Sequence, residues 1–580
     1  MTNISLFFLL TLPLLSGICF FFLGRLDNLR KNISLGVLLF SLIYAIIISL
    51  SPHFAWSKQI FPGFTVFLTL DKLSRLVLVF ANLFGFLICL FSKDYSNGKG
   101  GYFSWLILLM VFTNLEILAT DFIVFTLSWG GSIFILYMLL NLNSKFSAKK
   151  AGVILGFSYL CFIAGAIIYT SFTGSNSMFT GSTMILNRPV CWVAIVLMLI
   201  GALAKAGSGP LHTWIPTASQ SAPATVMAIL PASLDKLLGI YILSRICLDF
   251  FVMNNFIIGL LLITGSLTII FAVMMALIQH DLRKLLSYHA ISQVGYMVLG
   301  IGTATPIGII GAIFHMINNS IYKSGLFLVG GAVEKKANTF ELDRLGGLAR
   351  YMPLTFLAAI VFSLSISGIP PLNGFASKWM LYQGAFLGLL ATTNICLRFI
   401  YMFALVAAMF GSALTLASFI KFIHAIFLGQ DNLKSKEKIG EASWEMLVPL
   451  LTLAAFCVML GVFANYFVGK FIAPSFSFIL DYSGSWNSIF VSVFIIMALV
   501  IGFIIWNSMN KKGVREDTFF VGGESGYSRP LFPATEFYKT IENLPLLRIY
   551  YRFLKSEDLD IYNILTLKWI FKRKNKNAKT

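Results

Sequence analysis

Residues 201–245 read GALAKAGSGPLHTWIPTASQSAPATVMAILPASLDKLLGIYILSR, and the fold turns on this stretch. An apolar helix carries Lys205 inside it and then breaks at Gly207, Gly209 and Pro210. A polar turn with His212, Trp214 and Pro216 follows. A second apolar helix then holds Asp235 and Lys236 side by side near its middle. Each charge at such depth in hydrocarbon costs roughly 2.5–3.5 kcal/mol on insertion scales. A chain that accepts this cost repeatedly in so short a stretch is handling charge, and the pattern points to an ion pathway.

The rest of the composition agrees. Of 580 residues, 58% are hydrophobic and only 12% charged, against about 25% charged in ordinary soluble domains. This predicts an all-α integral membrane protein and excludes a water-soluble multidomain enzyme. The run over residues 5–24 has no Lys or Arg before it and is expected to be a retained span. The seven cysteines lie in apolar segments and form no Cys-x-x-Cys, so they read as packing residues. The net charge of +19 reports topology and anionic lipid, with no nucleic-acid partner indicated.

Apolar runs of spanning length predict about fifteen transmembrane helices. Lys and Arg gather in alternate loops: Arg25, Arg30 and Lys31; Lys145, Lys149 and Lys150; Arg283 and Lys284; Lys335, Lys336 and Arg344. That bias predicts an outside N-terminus and a cytoplasmic C-terminus in the cell membrane. The expected layout is N-terminal helices over 1–100, a core over 101–430, C-terminal helices over 431–510 and a basic, partly amphipathic tail over 511–580. The tail should lie on the cytoplasmic surface or dock a soluble partner.

A second interrupted helix falls at SGIPPLNG, residues 367–374, followed by Lys378. Two broken helices on either side of the chain's centre, each with a lysine, point to an internal repeat with the ion path at its midplane. Between them runs IGAIFHMINNSIYKSGLFLVGGAVE, in which His315, Asn319 and Lys323 are spaced four apart. They share one helical face at ~6 Å per step. With water, this ladder can pass a proton: histidine titrates near neutrality, and burial lowers a lysine toward the working range. The plain alternative is polar glue between helices. His289 is expected at the inner boundary, and Lys378 is either a terminal proton site or a snorkelling side chain. Glu116 and Asp121 lie near span ends, as exit groups or solvated helix termini. No P-loop, no dinucleotide-binding GxGxxG and no HExxH occurs. No cofactor is therefore expected in this chain, and any redox centre belongs to another subunit.

Four ordered motifs, AKAGSGPLHTWIPTASQSAPATVMA, HDLRKLLSYHAISQVGYM, IFHMINNSIYKSGLFLVGGAVE and SGIPPLNGFASKWM, resemble the antiporter-like subunits shared by respiratory complex I, Mrp-type cation/proton antiporters and energy-converting membrane-bound hydrogenases. The resemblance covers about residues 70–470. It implies two inverted five-helix repeats with broken helices, and a file of buried charges at mid-membrane. Lys205 then matches the central lysine of the first half and Lys236 the connecting lysine. His315 and Lys323 match the second half's pair, Asn319 stands where some members have another His, and Lys378 matches the terminal site. One departure stands out. The family's glutamate partner of the central lysine is expected in FTLSWGGSIF, where Gly130 stands. Asp235 is the expected substitute carboxylate.

The sequence thus predicts proton translocation, with sodium as the alternative ion, by a non-catalytic subunit of a redox-driven complex. Its partners would be other membrane subunits, soluble redox subunits reached through the complex, and the bilayer. An Mrp-type antiporter subunit, a non-conducting structural subunit and an independent small-solute carrier are the alternatives.

Overall fold

The computed structural model describes residues 2–22, 27–51, 54–61, 64–96, 101–178, 184–185, 188–429, 440–476 and 487–509, with parts of 538–566. Eleven helices among them are long and apolar enough to cross a membrane, and Tyr102–Leu118 and Pro353–Ser367 are shorter apolar helices. The protein is a multi-pass membrane protein. Two helices precede a hairpin: α1 (Ile4–Phe22) and α2 (Asp27–Leu50). Strands β1 (Ala55–Phe61) and β2 (Phe64–Thr69) pair antiparallel. This short hairpin is added to the helical architecture. It closes one end of the bundle, where the Thr120 hydroxyl donates to the Phe67 carbonyl at 2.7 Å.

The core follows as α3 (Lys72–Tyr95), α4 (Tyr102–Leu118), α5 (Phe122–Asn141), α6 (Lys145–Thr173), α7 (Pro189–Ala206) with its short continuation α8 (Trp214–Ser219), and α9 (Ala224–Phe250). Then come α10 (Asn255–Leu277), α11 (Leu282–Gly302), α12 (Pro306–Ala337), α13 (Pro353–Ser367) with its continuation α14 (Asn373–Ala391), and α15 (Ile395–Leu428). Helices α16 (Trp444–Val462) and α17 (Ser488–Ser508) complete the described spans. Many of the starts are written in the sequence as caps. Asp71, Asp121, Asn254, Asp281, Thr305 and Asn394 each accept a backbone N–H three residues on.

From α4 onward the spans fall into two groups of five, and in each group the fourth is broken. Because five is odd, the second group runs inverted relative to the first. Both breaks are built alike. Gly207 (φ 85°) and Gly368 (φ 82°) adopt the left-handed conformation that favours glycine. After Gly207, the Ser208 N–H reaches back to the Leu203 carbonyl at 2.8 Å; after Gly368, the Ile369 N–H reaches the Leu364 carbonyl at 3.0 Å. These are Schellman ends. Proline follows each within three residues and stops the helix from resuming in register.

Helix α9 is the axis of the molecule, buried along its whole apolar window. Pro231 has no N–H to give, and the helix widens into a π turn over Leu230–Leu234. The very next residues are Asp235 and Lys236. One turn further, Gly239 lets α9 press on the end of α7: a Cβ there would lie 2.4 Å from the Ala206 backbone nitrogen.

Most of the 511–580 segment lies outside the described residues. What is described is tied to the end of the bundle opposite the hairpin. Tyr538 donates to the Ala417 carbonyl at 2.9 Å and Tyr551 to the Met274 carbonyl at 3.2 Å. Asp560 accepts from Thr213, in the first break, at 2.8 Å, and pairs with Lys150 of α6. It also precedes the one-turn helix α18 (Ile561–Leu565). Burial pushes the Asp560 carboxyl up, but the hydrogen bonds from Lys150 and Thr213 and the lysine's charge outweigh it and hold the group below its ordinary value. A depressed carboxylate contributes attachment that is complete above its unfolded value near ~4 and lost as pH falls through the lower folded value. Asp560→Asn should therefore speed hydrogen exchange around Tyr562 at neutral pH. In wild type the same loosening should appear only below about pH 4.

Candidate functional site

Lys205 stands in the last turn of α7 and is 3% exposed. Its ammonium stands 3.0 Å from Glu116 Oε2 and 3.2 Å from both Glu116 Oε1 and Ser132 Oγ. The Ser132 hydroxyl donates to Glu116 Oε1 at 2.6 Å, which closes a triangle. The Trp129 ring covers one side, its centroid 4.8 Å from the ammonium. The lysine's direct partner is thus Glu116 of α4. Neither Asp235 nor a residue at position 130 pairs with it. Glu116 is fully buried, so it is no solvated helix end.

Position 130 is taken for a different reason. A Cβ on Gly130 would lie 2.8 Å from Tyr159 Oη. That hydroxyl donates to the Thr126 carbonyl at 2.9 Å and locks α6 onto α5. The glycine faces α6, while Ser132 and Glu116 meet at the lysine, so a carboxylate at 130 would first have to displace Tyr159. Asp121 serves as the N-cap of α5, accepting from the Val124 N–H at 2.7 Å.

Asp235 faces the same way as Gly239, one turn before its contact with Ala206. It lies within electrostatic reach of Lys205 and Glu116 without a direct ion pair. Lys236 is fully buried, and among the described residues its ammonium has no protein hydrogen-bond partner. The same holds for Lys323 and for both amide atoms of Asn319. The charges of Lys236 and Lys323 are near enough to act on each other. Phenylalanine rings 327 and 419 lie 5.6 and 5.8 Å from the Lys323 ammonium.

The remaining stations form a hydrogen-bonded group in the second half. His315 Nδ1 lies 2.9 Å from Ser377 Oγ, and its Nε2 lies 3.2 Å from Gln293 Oε1. Tyr322 donates to the same amide oxygen at 3.3 Å. His289 is no boundary residue: it is fully buried, with Nε2 2.7 Å from Ser418 Oγ. Lys378 is 1% exposed and does not snorkel. It reaches back into the break, donates to the Ile366 carbonyl at 2.8 Å, and lies 4.7 Å from the centroid of Tyr296. Gly368 makes room, since a Cβ there would sit 3.1 Å from Lys378 Cδ.

Several polar residues beyond those expected hold this arrangement. Asn318, and not Asn319, secures the second break: it donates to the Asn373 carbonyl, and the Asn373 amide donates back, both at 3.0 Å. Gln293 was marked only by its spacing, four residues past His289 on one helix face. Ser132, Ser377 and Ser418 carried no signal that separates them from the many other serines in these helices.

Residues 119–400 match the family model described as NADH:quinone oxidoreductase/Mrp antiporter, transmembrane. The chain is 30% identical over 451 residues to Na(+)/H(+) antiporter subunit A1 of Staphylococcus aureus, a match covering 73% of this chain and 55% of the relative. It thus spans about half the length of the curated relatives it matches. Among solved structures, its fold is similar to a chain of the membrane-bound sulfane sulfur reductase, an archaeal respiratory membrane complex. There the TM-score is 0.82 at 24% identity, over 99% of this chain and 95% of that one. A chain of the Mrp complex from Dietzia sp. gives 0.73 at 21%, over 82% and 97%. A chain of respiratory complex I from Thermus thermophilus gives 0.69 at 20%, over 82% and 98%.

Removing one member of a buried ion pair typically costs about 3–5 kcal/mol, because the other charge is left uncompensated. Glu116→Gln should lower the melting temperature in detergent by several degrees, and Lys205→Met on that background should restore much of it. Equal losses in the two single variants and their simple sum in the double variant would mean the pair contributes nothing.

Proposed function

We propose that this antiporter-like membrane subunit translocates protons through the file Glu116–Lys205, Asp235–Lys236, Lys323 and Asn319, His315 and Lys378, as part of a larger membrane complex. The observation that carries this reading is the set of fully buried amines and amide atoms, on Lys236, Asn319 and Lys323, that have no protein partner among the described residues. Buried polar groups left unsatisfied by protein are served by internal water. A lysine joined to others by water can hold and release a proton at modest cost.

At the first station the proton is held by a pair. While Lys205 is an ammonium, Glu116 and Ser132 compensate it. When it gives up its proton toward Asp235, Glu116 is left a bare buried carboxylate, and that cost drives reprotonation of the lysine. Lys236 sits on the neighbouring position of α9, turned by about 100° from Asp235. It can therefore pass charge on to α12 while Asp235 stays against α7. In the second half, His315 is held between Ser377 and Gln293 in one orientation, ready to exchange a proton with Lys323 on one side and Lys378 on the other.

Glu116 also bears on the non-conducting alternative. A central lysine left without a carboxylate by Gly130 would favour that alternative, but Lys205 has its counter-charge from α4. A redox-driven complex is the favoured setting, because the match to the archaeal respiratory chain runs along nearly all of this chain. Cation/proton antiport is the second reading, favoured by the sequence match to a Na(+)/H(+) antiporter subunit. In this reading the bias of Lys and Arg toward the opposite loops supports an outside N-terminus and hairpin, with the described tail contacts on the cytoplasmic face of the plasma membrane.

Lys323→Ala tests the file. In the purified complex reconstituted into vesicles, proton movement read with a pH-sensitive dye should fall at least tenfold, with subunit composition unchanged. Undiminished movement would leave these groups as helix glue.

A further inference from the structure

Helix α9 carries a second group of ionisable side chains that the file does not use. Near its far end Arg245 is 6% exposed and sits between two carboxylates. Its Nη2 donates to Asp71 Oδ2 at 2.5 Å and its Nη1 to Asp249 Oδ2 at 2.8 Å. Beneath the arginine, toward Lys236, lies the fully buried Tyr241, 3.4 Å from Arg245 Nη2. The Tyr241 oxygen lies 3.2 Å from Ser74 Oγ, and Ser74 in turn donates its hydroxyl to Asp71 Oδ1. Burial falls away in order along this line. Lys236, Tyr241 and Ser74 are closed to solvent, whereas the side chains of Asp71 and Asp249 are 34% and 39% exposed. The five steps from Lys236 to Tyr241 rise ~7.5 Å along one helix, and a branch between them requires a short run of internal water.

We infer that Tyr241, Ser74 and Asp71 form a proton-release branch from Lys236 to the hairpin side of the membrane, with Arg245 and Asp249 holding its mouth. This rests on the translocation reading above. The Lys236 ammonium gives its proton, through water, to the Tyr241 oxygen while the phenol hydrogen passes to Ser74. The Ser74 hydrogen passes to the Asp71 carboxylate, which loses it to outer water, and the two hydroxyls then rotate back. Lys236 is left neutral and is recharged from the file. Arg245 keeps Asp71 ionised between turnovers and fixes its carboxylate on Ser74. Its own charge stands across the route, which discourages free cations from entering.

A plain structural clamp between the start of α3 and the end of α9 would use the Tyr241 hydroxyl only as a hydrogen-bond partner of Arg245 and Ser74, so losing it would lower the melting temperature without a selective loss of release. The discriminating variant is therefore Tyr241→Phe in the assembled complex, with Ser74→Ala as a second that spares the ring altogether. In reconstituted vesicles with dyes on both faces, each should cut steady proton release on the hairpin side at least tenfold. The first-turnover uptake on the tail side and the melting temperature should stay at wild-type values. Lys323→Ala is run in parallel. If that variant is dead while both hydroxyl variants release protons normally, the branch is wrong and the file stands. If uptake falls together with release in the hydroxyl variants, their role is not release, and the branch is again overturned. If Lys323→Ala pumps normally, the underlying reading fails and takes the branch with it.

Discussion

The contact between Lys205 and Glu116, an enclosed ammonium met by a buried carboxylate, is the one the rest of the molecule accommodates. It brings α4, α5 and α7 to one point: the acid comes from the first, the serine and tryptophan from the second, the base from the third. The pair also fixes where α9 can run, since Gly239 lies against the last residue of α7. Neutralised charge at the centre lets α9 bring a further acid and base into the same interior. Without the pair, Asp235 and Lys236 would enter a region already holding an uncompensated charge.

The two breaks place both lysines on the same kind of ground. Lys205 stands in the last turn of α7, and Lys378 binds a last-turn carbonyl of α13. The C-terminal end of a helix carries partial negative charge and carbonyls with no intrahelical partner. An ordinary membrane helix satisfies its carbonyls internally, so only a helix that stops part-way offers such ground to a cation at depth. The glycines at 207 and 368 are thus as much a part of the charge sites as the lysines.

Much of this was legible in the sequence, because charges and Gly–Pro breaks stand out against hydrocarbon. Lys205, Lys236, His315, Lys323, Lys378 and both interruptions stand out that way, and the five side chains are buried. The missing part concerns helix rotation. Periodicity says that Glu116 and Asp121 lie near span ends, but not which one turns inward, and one is a buried partner while the other is a cap. The same limit hid Asn318, which secures the second break: adjacent residues diverge by about 100°, and the break it faces is remote in sequence. Position 130 misled for a different reason, since a family-based expectation fixes a position and not the chemistry. Here the carboxylate arrives from the neighbouring helix, and a tyrosine occupies the space instead.

The complete burial of α9 bears on how the protein is made. A helix with Asp235, Lys236 and Arg245 in one span, and a π turn before them, is a poor candidate for stable residence in lipid by itself. The elements that enclose it come from both directions along the chain. Lys205, beside Asp235, and Asp71, the partner of Arg245, are synthesised before it, whereas α12, which lines its other side, follows it. The segment must therefore wait in a protected setting, at the insertion machinery or against the first helices, until the second group of five closes over it. Biogenesis of this subunit should accordingly be sensitive to slow synthesis beyond residue 250, and incomplete chains ending there should be prime substrates for membrane quality control.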